Sequence, residues 1–106
     1  VERVYMDATP AIEDFADSYS TARGLVVTIT NNTEYTNFLD DSFIALVDKD
    51  GKLILFSSYY AVYDVSIAPG STIKTLEREF FNDDDKLLAD VDFEKSIAKV
   101  WFDIFD

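Results

Sequence analysis

Carboxylates are the only abundant reactive side chains in this chain, with 21 Asp and Glu against 9 Lys and Arg, no histidine and no cysteine. Without cysteine there is no thiol nucleophile, disulfide or thiolate metal site. Without histidine the commonest general base and the Ser/His triads are gone. What remains is calcium coordination, acid and base work by a carboxylate pair, or a charged surface. Asp48-x-Asp50-Gly51 has the alternate acids before glycine that open a calcium loop, but Leu53, Ile54 and Leu55 follow where further oxygen ligands are needed, so it reads as a hairpin turn. Asp83, Asp84 and Asp85, joined by Asp90 and Asp92, form the denser calcium candidate. They lack spaced ligands and a glycine bend, and read as a solvated loop without metal. Chance carboxylate pairs are unavoidable here, and none sits in a motif beside an aromatic platform, so no catalytic residue and no cofactor is assigned. Tyr59, Tyr60 and Tyr63, with Trp101, are the candidates for an exposed aromatic surface that grips a partner or a glycan, against ordinary packing in the core.

The elements that must position these residues belong to a chain of 106 residues, 48 % hydrophobic and 15 % aromatic, which suits one packed domain over residues 1–106. No run approaches the roughly 20 apolar residues of a membrane-spanning helix, and no secretory leader opens the chain, so direct membrane insertion is not expected. A formal net charge of −12 repels nucleic-acid phosphates and anionic membranes and favours basic partners, although solubility alone accounts for it.

The organising stretch is residues 42–58. Two apolar runs flank Asp48-Lys49-Asp50-Gly51, and both faces of both runs are apolar, which predicts a hairpin in the interior of a sheet. Leu25, Val27 and Ile29 alternate with Val26, Thr28 and Thr30 in a strand that ends at Asn31-Asn32. Asn31-Asn32-Thr33 also matches a glycosylation acceptor, with strand-end asparagines in a turn as the plainer reading. Val4-Tyr5-Met6 suits a short edge strand, and Ile12, Phe15, Ala16 and Tyr19 have helical spacing after Pro10, predicting a short helix. Residues 33–41 read as a crossing loop, Tyr59 to Ile67 as a strand stopped by Ala68-Pro69-Gly70, and residues 71–81 as a strand bulged near Thr75. Residues 82–86 read as an exposed turn, residues 87–93 as a tucked segment, and residues 100–105 as a terminal strand with a C-terminal helix as the alternative. The sum is an all-β antiparallel sandwich of about seven strands, with α+β as the alternative.

Val27-Thr28-Ile29-Thr30-Asn31-Asn32, then Ile44-Ala45-Leu46-Val47-Asp48-Lys49-Asp50-Gly51-Lys52, then Ile67-Ala68-Pro69-Gly70-Ser71-Thr72 fall in an order that resembles the FxLYD-type immunoglobulin-like domains of bacterial and archaeal surface proteins and lipoproteins. Ile44 and Val47 stand where that family has Phe and Tyr. The resemblance covers about half the chain and implies an immunoglobulin-like, membrane-tethered, extracytoplasmic module without catalysis. The expected function is therefore non-catalytic binding of a protein or cell-envelope partner, or spacing. The alternative is an acidic intracellular inhibitor that mimics nucleic acid and occupies a basic partner.

Overall fold

The computed structural model describes residues 2–17, 20–36, 39, 41–58, 65–80 and 85–104. Its elements are β1 (Glu2–Asp17), β2 (Ser20–Thr30), β3 (Asp41–Val47), β4 (Leu53–Ser57), β5 (Thr72–Phe80), α1 (Asp85–Leu88) and β6 (Ile97–Ile104). All pairings are antiparallel, in the order β4-β3-β6-β1-β2-β5. The fold is all-β, with one four-residue helix among the described residues.

β1 is the unusual element, a strand of 16 residues where the others have 5 to 11. Residues 2–6 pair with β6, and from Asp7 onward the strand pairs with β2 instead. One strand thus joins a four-stranded ladder, β4-β3-β6-β1, to a three-stranded one, β1-β2-β5. Pro10 is buried opposite Val27, in the half of β1 that pairs on one side only, where a missing N–H costs least. The expected helix after Pro10 is therefore corrected to strand. Met6, Ala8, Pro10 and Ile12 supply a period-two inner face, and pairing of residues 7–17 with β2 overrides the weaker helical spacing of Ile12, Phe15, Ala16 and Tyr19.

The hairpin forms as the sequence requires. Asp48 N–H donates to Lys52 O at 2.9 Å, Gly51 N–H donates to Asp48 O at 2.9 Å, and Gly51 takes φ +80° at the position where a side chain would be strained. Its place in the sheet needs correcting: β3 is interior, but β4 is an edge strand with Leu53 and Phe56 more than half exposed. A bulge at Glu77 interrupts β5, two residues beyond the expected site. The terminal segment is strand β6, with Ala98, Val100 and Phe102 buried and their neighbours facing outward. Of the expected strand before Pro69, residues 59–64 lie outside the described residues, and Ser66 forms only an isolated bridge. Asp85 and Lys86 open α1 rather than continuing a turn.

The inner faces of both ladders feed one cluster: Leu25, Val27 and Ile29 from β2, Ile44 and Leu46 from β3, Phe80 from β5, and Ala98, Val100 and Phe102 from β6. Leu39 and Ile67 enter it from the crossing loops, and Leu87, Leu88, Val91 and Phe93 pack against its rim.

A buried asparagine fixes the crossings. Asn31 is fully buried, and its Nδ2 donates to Tyr35 O at 2.6 Å and to Ile67 O at 2.8 Å. Its Oδ1 accepts from Thr33 N–H and Thr33 Oγ1, while its backbone bonds Ser71 O and Gly70 N–H. Gly70, at φ +81°, and the Ser71 N–H···O Ala68 bond at 3.0 Å close the Pro69-Gly70 turn against it. Both amide hydrogens are spent and the group is out of solvent, so the folded chain offers no glycosylation acceptor at Asn31.

Asn31→Ala would strand the buried Ile67 carbonyl, the part-buried Tyr35 carbonyl and the Thr33 N–H, and a loss of about 2–4 kcal/mol is expected by denaturant unfolding, whereas exposed Asn32→Ala changes less than about 0.5 kcal/mol. Leu46, with no exposed surface, is expected to cost about 2–5 kcal/mol on truncation to Ala in the same assay.

Candidate functional site

Strand alternation turns the residues between the core positions of β1, β3 and β6 outward, and four of these outward side chains on the four-stranded ladder are aromatic. Tyr5 on β1 lies opposite Trp101 on β6, with ring centroids 5.8 Å apart and planes at 59°. Trp101 meets Phe43 of β3 edge-on at 6.0 Å, and Phe43 stacks with Phe56 of β4 at 5.7 Å. The row therefore crosses all four strands on a diagonal: Tyr5 and Trp101 are direct register partners, whereas Phe43 stands two residues from Asp41, the partner of Trp101, and Phe56 lies opposite Ala45. Tyr5 is 48 % exposed and Phe56 57 % exposed, while Phe43 and Trp101 are half-buried between them. Such rings hold one another by edge and offset contacts worth about 0.5–1.5 kcal/mol a pair beyond area, so the row is rigid as well as exposed.

Cations cap the row. The Arg3 guanidinium lies 4.9 Å from the Trp101 ring centre and also bonds Asp103 at 3.0 Å, while the Lys99 ammonium sits 5.3 Å from the Tyr5 ring. The bond to Asp103 raises the Arg3 proton affinity above its ordinary value, so the guanidinium keeps its charge. Ile97, 47 % exposed opposite Ala45, extends the apolar surface beside Phe43. Lone exposed apolar residues need no explanation, but these are contiguous across the sheet.

Two clefts flank the hairpin tip, one of about 620 Å³ between Asp48, Lys49 and residues 89–94, and one of about 270 Å³ between Asp48, Lys52, Leu53, Ile54 and the α1 segment. Two of their acids, Asp48 and Asp92, serve the turns. Asp48 Oδ1 accepts from the N–H groups of Asp50 and Lys52, and Asp92 Oδ1 accepts from Glu94 N–H at 3.0 Å. Lys95 Nζ donates to Lys49 O, and Asp92 N–H donates to Val47 O, tying the two turns together. Among the described residues no three His, Cys, Asp or Glu side chains are grouped to hold a metal.

The calcium candidates Asp83 and Asp84 lie outside the described residues, as do the partner-binding candidates Tyr59, Tyr60 and Tyr63; Asp85 opens α1. Asp90 borders both clefts, and Asp92 lines the larger. Trp101, the one expected aromatic among the described residues, enters the row, and Tyr5, Phe43 and Phe56 are additions. Their signal was the alternation itself: apolar residues on both faces of a two-sided strand pattern require either two covered faces or an outward row that packs sideways.

Ser57 Oγ donates to Glu77 Oε1 at 2.5 Å, linking the end of β4 to the β5 bulge. Burial pushes the Glu77 carboxyl above its ordinary range, with the Ser57 bond and Arg78 opposing. Neither residue lines the two clefts, and the contact reads as a tie between strands. Comparison with family models, curated proteins and solved structures finds no match to the chain.

A raised folded-state pKa means that the folded chain binds the Glu77 proton more tightly than the unfolded one. Stability from this group therefore rises as pH falls from the folded value towards the ordinary carboxylate value, and is lost as pH climbs back. Relative to wild type, Glu77→Gln is expected to raise the melting temperature at neutral pH, with the difference closing on acidification; a constant difference at all pH values would contradict it.

Proposed function

We propose that this chain is a non-catalytic, extracytoplasmic binding module of a bacterial surface protein or lipoprotein, and that the outer face of the β4-β3-β6-β1 ladder is its binding surface. The observation that carries the reading is the row of Tyr5, Trp101, Phe43 and Phe56 with its exposed ends. The finer fold belongs to the same proposal: an immunoglobulin-like sandwich in which β4-β3-β6-β1 and β1-β2-β5 are the two layers. Its support is that side chains with no exposed surface line both ladders while the only helix among the described residues is four residues long, so each ladder must serve as the other's cover. Relatedness to the FxLYD type rests on the motif residues Asn31, Gly51 and Gly70, each of which does structural work that its residue type explains.

Between binding and spacing, binding is favoured. Glu2 and Ile104 are register partners, so chain arriving at residue 2 and leaving after residue 104 does so at one end of one ladder. A spacer in series needs its two attachments at opposite ends. The acidic-mimic alternative needs a continuous carboxylate face, whereas on this ladder Asp41 and Asp103 alternate with Arg3, Lys99 and rings.

The test is co-sedimentation with isolated bacterial cell envelopes. Phe56→Ser, at an exposed edge, is expected to weaken binding roughly tenfold while lowering the melting temperature by only a few degrees through the lost Phe43 contact, and binding is expected to survive added salt. Leu76→Ser, exposed on the other ladder, is the control. Equal loss in both variants, or binding abolished by salt, would overturn the reading.

A further inference from the structure

We propose that residues 2–6 of β1 are a releasable latch: tension between the two ends of the domain strips them from β6 while the remainder of the fold holds. The geometry of the ladder carries this. Glu2 lies opposite Ile104, and the pairs continue through Arg3–Asp103, Val4–Phe102 and Tyr5–Trp101 to Met6–Val100. Antiparallel hydrogen bonds lie perpendicular to the strands, so force drawing residues 2 and 104 apart acts along those bonds and loads the rungs one after another. Force along the strands would instead load every rung together.

The neighbouring ladder has the opposite character. Residues 7–17 make eleven register pairs with β2 against five between residues 2–6 and β6, and they begin where the five end. β6 itself is anchored twice, by pairing of residues 97–101 with β3 and by fully buried Val100 and Phe102. On the latch the one buried side chain is Met6, with Val4 partly buried against the core. Its other ties are at the surface: the Arg3–Asp103 ion pair, Arg3 over Trp101, and Tyr5 against Trp101. Residues 2–6 are therefore the segment that yields, with the partner change at Asp7 as the stop. Release removes Tyr5 and Arg3 from Trp101 and leaves backbone groups of β6 unpaired along residues 100–104. The latch does not depend on what the aromatic face binds.

The experiment is single-molecule pulling with handles fused before residue 1 and after residue 106. The expected trace has a reversible low-force step releasing about five residues, at up to roughly 3.6 Å each, followed by a larger step at higher force. Met6→Ala is expected to speed the first step about tenfold at a given force and leave the second unchanged, and Leu46→Ala to act on the second alone. Hydrogen exchange on the unmodified chain gives an independent measure, with amides bonded between β1 and β6 opening more readily than those bonded between β1 and β2. One step carrying the whole length, a first step insensitive to Met6→Ala, or equal protection of the two ladders would overturn the proposal.

Discussion

The Asn31 side chain is the interaction on which the arrangement of the chain most depends. An amide out of solvent is costly unless every donor and acceptor is used, and here both hydrogens and the oxygen are used by Tyr35, Ile67 and Thr33. These partners lie on two of the three connections that carry the chain from one ladder to the other, β2 to β3 and β4 to β5. With the backbone bonds to Gly70 and Ser71, one residue fixes where β2 ends, where β5 begins and how deep Ile67 sits. Hydrophobic burial drives collapse but does not choose between nearby loop positions; a fully satisfied buried amide does, because each displacement breaks several bonds at once.

β1 solves a second problem. The inner face is apolar except at Ser42 and Thr75, and among the described residues the helix is four residues long. By changing partners at Asp7, one strand supplies an edge to each ladder and ties them covalently and by register, and Pro10 is placed in the half where β1 has one neighbour. The arrangement brings residues 2 and 104 together at one end of the β1-β6 pair, which also carries Tyr5 and Trp101. It also gives β1 two halves of unequal hold, since burial and pairing length differ on either side of the change.

Charge shapes the surface without defining the site. With a net charge of −12, unshielded apolar surface is tolerated because copies repel one another. The aromatic row nonetheless carries Arg3 and Lys99 on its ring faces, a local exception to the acidic field that holds the rings in one geometry. Asp48 and Asp92 near the hairpin tip are committed to turns, where a carboxylate oxygen accepts backbone N–H bonds that the chain reversal leaves open.

The sequence by itself determined the local elements whose cause is local. The Asp-Gly and Pro-Gly turns, the strand ending at Asn31, the tucked residues 87–93 and the all-β class follow from φ preference, period-two patterning and turn chemistry. Tertiary structure decided three things. Residues 11–17 are strand because β2 offers a ladder that helical spacing cannot match. β4 is an edge because order within a sheet depends on which strands dock, not on the apolarity of one hairpin. The aromatic row exists because pairing brings Tyr5, Phe43, Phe56 and Trp101 side by side from four strands. Alternation assigns each residue to a face, but neighbours across a sheet are set by register, which no stretch of sequence contains alone.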